Sequence, residues 1–121
     1  MNARGETITV DLRAAQSTPQ LMDALGEALQ LGGPDGNVDP ADGKGWGKNW
    51  DALYDSLRCL DSGGIWGTSR KPQFPLLMEL RNSAAFRSAD REGYSLLLEV
   101  LEDAREWYAK HGLEFAYKLA P

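Results

Sequence analysis

The sequence predicts an α/β fold: a three-stranded parallel β-sheet with helices packed against it, in the order β-α-α-β-α-α-β. Three observations predict it. Short strand-like runs stand near the start, after residue 73 and at the end of the chain. Segments with helical periodicity fill both intervals between them. Strands joined through helical crossovers pair in parallel with right-handed connections. The 121 residues are read as one domain, 1–121, long enough to bury a core without disulfides or metals.

The first strand is "ETITVDLR", where Ile8, Val10 and Leu12 alternate with Thr7, Thr9 and Asp11. "STPQLMDALGEALQLGG" reads as a helix. Thr18 is expected to cap it, Pro19 suits its first turn, and the glycines are expected to close it. Leu21, Met22, Leu25, Ala28 and Leu29 form its apolar stripe. Residues 32–45, "GGPDGNVDPADGKG", are rich in glycine and proline and read as a loop.

A second helix is expected from about Trp46. At 100° per residue, Trp46, Trp50, Leu53, Leu57 and Leu60 fall within about 40° of one line, so that face is buried. Asp51 and Asp55 point away from it, and Tyr54 lies between the two faces. "DSGGIWGTSRKPQ", 61–73, is a second loop, and "FPLLMEL", 74–80, is expected to be a buried strand. A short helix capped at Asn82 or Ser83 follows. The strongest helix is "YSLLLEVLEDAREWYAKHG", with Tyr94, Leu97, Leu98, Leu101, Ala104, Arg105 and Tyr108 at helical spacing and Gly112 as its stop. "LEFAYKLA" closes the chain as a strand.

The net charge of −5 and the pI near 4.8 argue against binding a phosphate backbone, which needs clustered Lys and Arg. They fit a basic partner. A lone cysteine, Cys59, leaves no internal disulfide, and the first residues carry no apolar signal core, so a cytoplasmic location is expected. No apolar run approaches the ~20 residues of a membrane span.

Enzymatic signatures are absent: there is no G-x-S-x-G, H-E-x-x-H, C-x-x-C or P-loop. One His and one Cys do not make a metal site, and no cofactor is implied. His111 suits the negative end of the long helix, where a cation is favoured. Glu99, Glu102, Asp103 and Glu106 read as a solvated face. Trp66 is either tucked onto the core or an exposed anchor.

Two acids remain. Asp51 and Asp55, four apart on one helical face, repel each other by about 0.2–0.5 kcal/mol. Arg58 three residues after Asp55 and Lys48 three before Asp51 relieve this in part. The pair is open to two readings: a plain charged surface, or a general acid and base.

"GWGKNWDALYDSL" resembles the signature of the barstar family, aromatic-Gly-x-Asn-x-Asp-Ala-Leu-aromatic-Asp-x-Leu, through Trp46, Gly47, Asn49, Asp51, Ala52, Leu53, Tyr54, Asp55 and Leu57. The order of elements agrees over nearly the whole chain. The resemblance implies an intracellular inhibitor, or immunity protein, of a secreted barnase-like ribonuclease. Its acidic helix and preceding loop would block the enzyme's active site, with no catalysis of its own. The implied partner is a basic ribonuclease, or another toxin with a cationic site; no nucleic acid or membrane is contacted, and the free protein is a monomer.

By the same resemblance Asp55 is the central inhibitory residue, Asp51 a supporting acid and Tyr54 an aromatic contact. Asn49, Trp46 and Gly47 flank the surface, and Asp103 is the nearest match to a further acid on the last helix. This sequence departs from the pattern in its long loops, 32–45 (with Asp35, Asp39 and Asp42) and 61–73, and in Lys48 and Arg58, which add positive charge to the binding face. A regulatory scaffold using Trp66 and the inserted loops is the remaining alternative.

Overall fold

The computed structural model describes residues 5–31, 49–62 and 71–121. Alternation builds the sheet. In β1 (Glu6–Asp11) the branched residues Ile8 and Val10 are buried and Thr7, Thr9 and Asp11 are exposed. β2 (Leu76–Arg81) lies between β1 and β3 (Phe115–Leu119), parallel to both, and Ile8, Met78 and Tyr117 stand in register across the three strands. The expected order of elements and the parallel sheet are both present.

β2 is not buried on both sides, as its apolar run suggested. Leu76, Met78 and Leu80 are buried, whereas Leu77 and Glu79 are only half-buried on the opposite face. That face also carries Thr7, Thr9 and the exposed Lys118, and Glu79 accepts from Thr9 Oγ1 at 3.5 Å and from Arg81 Nε at 3.0 Å. Covering such a row would strand polar groups away from water. The core therefore lies on one side, where Ile8, Val10, Leu76, Met78, Leu80 and Phe115 meet the helices.

α1 (Thr18–Leu29) buries Leu21, Met22, Leu25, Gly26 and Leu29. Thr18 does not cap it. Ser17 holds the cap position without a side-chain bond, and the Thr18 hydroxyl instead donates to Asp90 Oδ2 at 2.9 Å. Nor do the glycines close it: Gln30 takes the left-handed turn at φ 52°, and Leu31 N–H returns to the Gly26 carbonyl at 3.0 Å.

α3 (Ser83–Ala89) leads into α4 (Arg91–Lys110), which begins three residues before the periodic stretch. Asp90 caps α4, its Oδ1 accepting from Gly93 N–H at 2.8 Å. The Gly93 amide and then the Thr18 hydroxyl hold the Asp90 carboxyl below its usual range. A Cβ on Gly93 would sit 2.8 Å from both Thr18 Oγ1 and Asp90 Oδ2, so glycine permits this junction of α1 and α4. α4 buries Leu97, Val100, Leu101, Ala104 and Tyr108; of the predicted stripe, Arg105 is exposed and Leu98 half-buried. Gly112, at φ 76°, ends the helix.

Glu102 joins α4 to β3. It pairs with Arg105 and accepts from the Tyr117 hydroxyl at 2.9 Å. Arg105, then Tyr117, lowers the Glu102 carboxyl from 4.5 to about 2. Because the folded carboxylate is the stronger acid, its contribution is full above pH 4.5 and is lost as pH falls toward about 2. Urea unfolding between those limits is expected to show a shallower pH slope for Glu102→Gln than for the wild type; equal slopes would remove Glu102 from the acid lability.

Candidate protein-binding face

α2 (Trp50–Leu57) carries the motif. It begins at Trp50, not near Trp46, because Asn49 is extended (φ −138°) and its Oδ1 accepts from Ala52 N–H at 2.8 Å. Asn49 thus serves as the cap, a role for which its short acceptor side chain is well suited. Leu53, Ser56 and Leu57 are buried, and Leu60, expected on the same helical line, is buried within a separate 3₁₀ turn at Leu60–Ser62.

Asp51 and Asp55 are exposed and Tyr54 is half-buried between the two faces. Asp51 stands in the first turn, where the helix dipole favours an acid. Asp55 Oδ1 accepts from Arg58 Nη2 at 2.7 Å, and the Arg58 guanidinium carbon lies 4.1 Å from the centre of the Tyr54 ring.

α2 packs beside α4, and a shallow groove runs between them. Trp50, Asp51 and Tyr54 line one side; Leu96, Glu99, Val100 and Asp103 line the other. Asp51, Tyr54 and Asp103, nominated from distant parts of the sequence, therefore share one groove. Asp55 lies outside its lining, and Asn49 stands at the head of α2. Trp46, Gly47, Lys48, Trp66 and the loop acids Asp35, Asp39 and Asp42 lie outside the described residues. Glu99 and Leu96 were not singled out as site residues; Glu99 does stand four before Asp103, one turn away on the same helix.

The Tyr108 hydroxyl sets the other end of α2. It donates to the Leu57 carbonyl and accepts from Leu60 N–H at 2.9 Å. Its ring is fully buried, 4.9 Å from Phe74 and 5.7 Å from Phe115 between ring centres. Burial raises the Tyr108 phenol far above its usual range, so it stays protonated and serves both partners.

Cys59 and His111 both stand outside the lining of the groove. Burial pushes the half-buried Cys59 thiol up, away from the thiolate a nucleophile needs. His111 stacks on Trp107 at 3.9 Å and its Nδ1 lies 2.7 Å from the Trp107 carbonyl. Among the described residues no three His, Cys, Asp or Glu side chains gather as a metal set, and no helix is long and apolar enough to cross a membrane.

Fold and face together define a parallel α/β protein that presents an acidic helix beside a groove of mixed acidic and apolar lining. The family model described as Barstar (barnase inhibitor) matches residues 5–120, and the chain belongs to that family. No curated protein matches the chain.

Tyr108→Phe keeps the ring but orphans the Leu57 carbonyl and the Leu60 amide. It is expected to cost about 1–3 kcal/mol, measured by urea unfolding. A loss near zero would mean that α2 is positioned without this hydroxyl.

Proposed function

We propose that the protein is a cytoplasmic inhibitor, an immunity protein or antitoxin, of a barnase-like secreted ribonuclease. The helix α2 and the loop before it cover the nuclease active site. Asp55 is the central residue, Asp51 supports it, and Tyr54 supplies an aromatic contact. Asn49, Trp46 and Gly47 flank the surface and Asp103 adds an acid from α4.

The observation that carries this reading is the joint placement of Asp51, Tyr54 and Asp103 on one groove in a member of the barnase-inhibitor family. The physics supports it. A ribonuclease site gathers positive charge to hold RNA phosphates. Carboxylates take the place of those phosphates, pair with guanidinium groups, and speed encounter through complementary fields. Repulsion along the free helix is relieved once a cationic site covers it.

The test is inhibition of a barnase-type ribonuclease at low and moderate salt, with Asp55→Ala alongside. Wild-type inhibition that weakens with salt is expected. Asp55→Ala should bind at least about thirtyfold more weakly, the 2 kcal/mol scale of a central interface residue. If Asp55→Ala inhibits as well as the wild type, the assignment of Asp55 fails.

A further inference from the structure

Arg58 sits where a partner's cation would be expected. Its Nη2 holds Asp55 Oδ1 at 2.7 Å. Its guanidinium carbon lies 4.1 Å from the centre of the Tyr54 ring, a cation–π contact. Its side chain is 30% exposed against 54% for Asp55. Its Nε is shielded from solvent and has no hydrogen-bond partner among the described residues. The guanidinium is therefore held from two sides, by a carboxylate and by a ring, on the face that carries Asp51 and Asp55.

We propose that Arg58 is the specificity-determining residue of this face: it occupies one oxygen of Asp55 and admits only a partner that sets an acidic side chain opposite Arg58, beside the cations that meet Asp51 and Asp55. This rests on the docking function proposed above and names the partner's chemistry.

An incoming guanidinium that forks onto both oxygens of Asp55 has to share Oδ1 with Arg58, which weakens the two-point fork that makes Arg–carboxylate pairs strong. It also meets a fixed positive charge. A uniformly cationic site is repelled there. A site with a carboxylate beside its cation satisfies Arg58 and Asp55 together. Discrimination of this kind comes from what a face rejects as much as from what it attracts. Tyr54 reinforces the filter, because swinging Arg58 aside breaks the ring contact along with the ion pair.

Two measurements decide it. The first follows the side-chain carboxylate carbons of Asp51 and Asp55 by NMR while argininamide, a simple guanidinium probe, is added. In the wild type Asp51 is expected to respond at least threefold more than Asp55; in Arg58→Ala the two respond alike. An Asp55 response that already equals Asp51 in the wild type overturns the proposal. Backbone amide shifts of α2 that stay at their wild-type positions show in each variant that the face is folded.

The second compares Kd for a barnase-type ribonuclease among the wild type, Arg58→Ala and Arg58→Glu. Arg58→Ala is expected to bind at least tenfold tighter than the wild type, and Arg58→Glu tighter still. Unchanged or weaker binding by Arg58→Ala, or no binding by any of the three, overturns Arg58 as the filter. Asp55→Ala in the same assay judges the docking reading separately: its failure to weaken binding removes Asp55 as the central residue, while the argininamide comparison still reports on Arg58.

Discussion

One buried hydroxyl joins the end of the motif helix to the rest of the fold. α2 has eight residues, too few to hold together alone in water. Its ends are fixed from outside its own turns. Asn49 satisfies an amide at the start, and the Tyr108 hydroxyl takes the last carbonyl and the first amide of the 3₁₀ turn. Tyr108 belongs to α4, and its ring touches Phe74 before β2 and Phe115 at the start of β3. One side chain thus ties α2 to the long helix and to two strands.

The acids of α2 contribute little to holding that helix. Repulsion between Asp51 and Asp55 costs about 0.2–0.5 kcal/mol, and an exposed Asp55–Arg58 pair returns about as much. The dipole adds a little at Asp51. These effects cancel to within their size, while burying Leu53 and Leu57 is worth about 1.5–3 kcal/mol each. The fold places the charges without leaning on them. Their arrangement is therefore free to answer to a partner.

Periodicity made the layout of the chain legible, and tertiary contacts account for what it hid. Alternation around Ile8 and Val10 and the apolar stripe of α1 are visible in the residues themselves. The exposure of Asp51 and Asp55 follows from their angle to Leu53 and Leu57. Trp46 fits the same helical line, so periodicity alone runs the helix back to it; only the cap at Asn49 stops it. That signal was present, since Asn three residues before Ala52 is a common helix start. Gln30 in a left-handed turn carried no signal, because glycine follows two residues later. Thr18 looked like a cap and binds Asp90, 72 residues away. The groove is built from two helices remote in sequence, so Leu96 and Glu99 were invisible as its lining. The Arg58–Tyr54 contact, at i and i+4, was within reach of the spacing rule.

Two sets of acidic side chains stand apart among the described residues. Asp11 accepts from Arg13 N–H and Asn82, Asp90 from Gly93 and Thr18, and Glu102 from Arg105 and Tyr117. Each is held below its ordinary range by those donors, chiefly Arg13 N–H, Gly93 N–H and Arg105 respectively, and so contributes to folding. Asp51 and Asp103 line the α2–α4 groove with no hydrogen bond or ion pair among the described residues, and Glu99 stands with them. Like charges gathered in one groove raise a negative potential that attracts a cation. Asp55 stands between the groups, exposed like the second and paired like the first. Its counterion, Arg58, lies on the same face. A partner docked as proposed would set an acid opposite that cation while its own cations meet Asp51 and Asp103. The fold leaves its free negative charge in the groove and mixed charge beside it, and a complementary surface has to carry both patterns at that spacing.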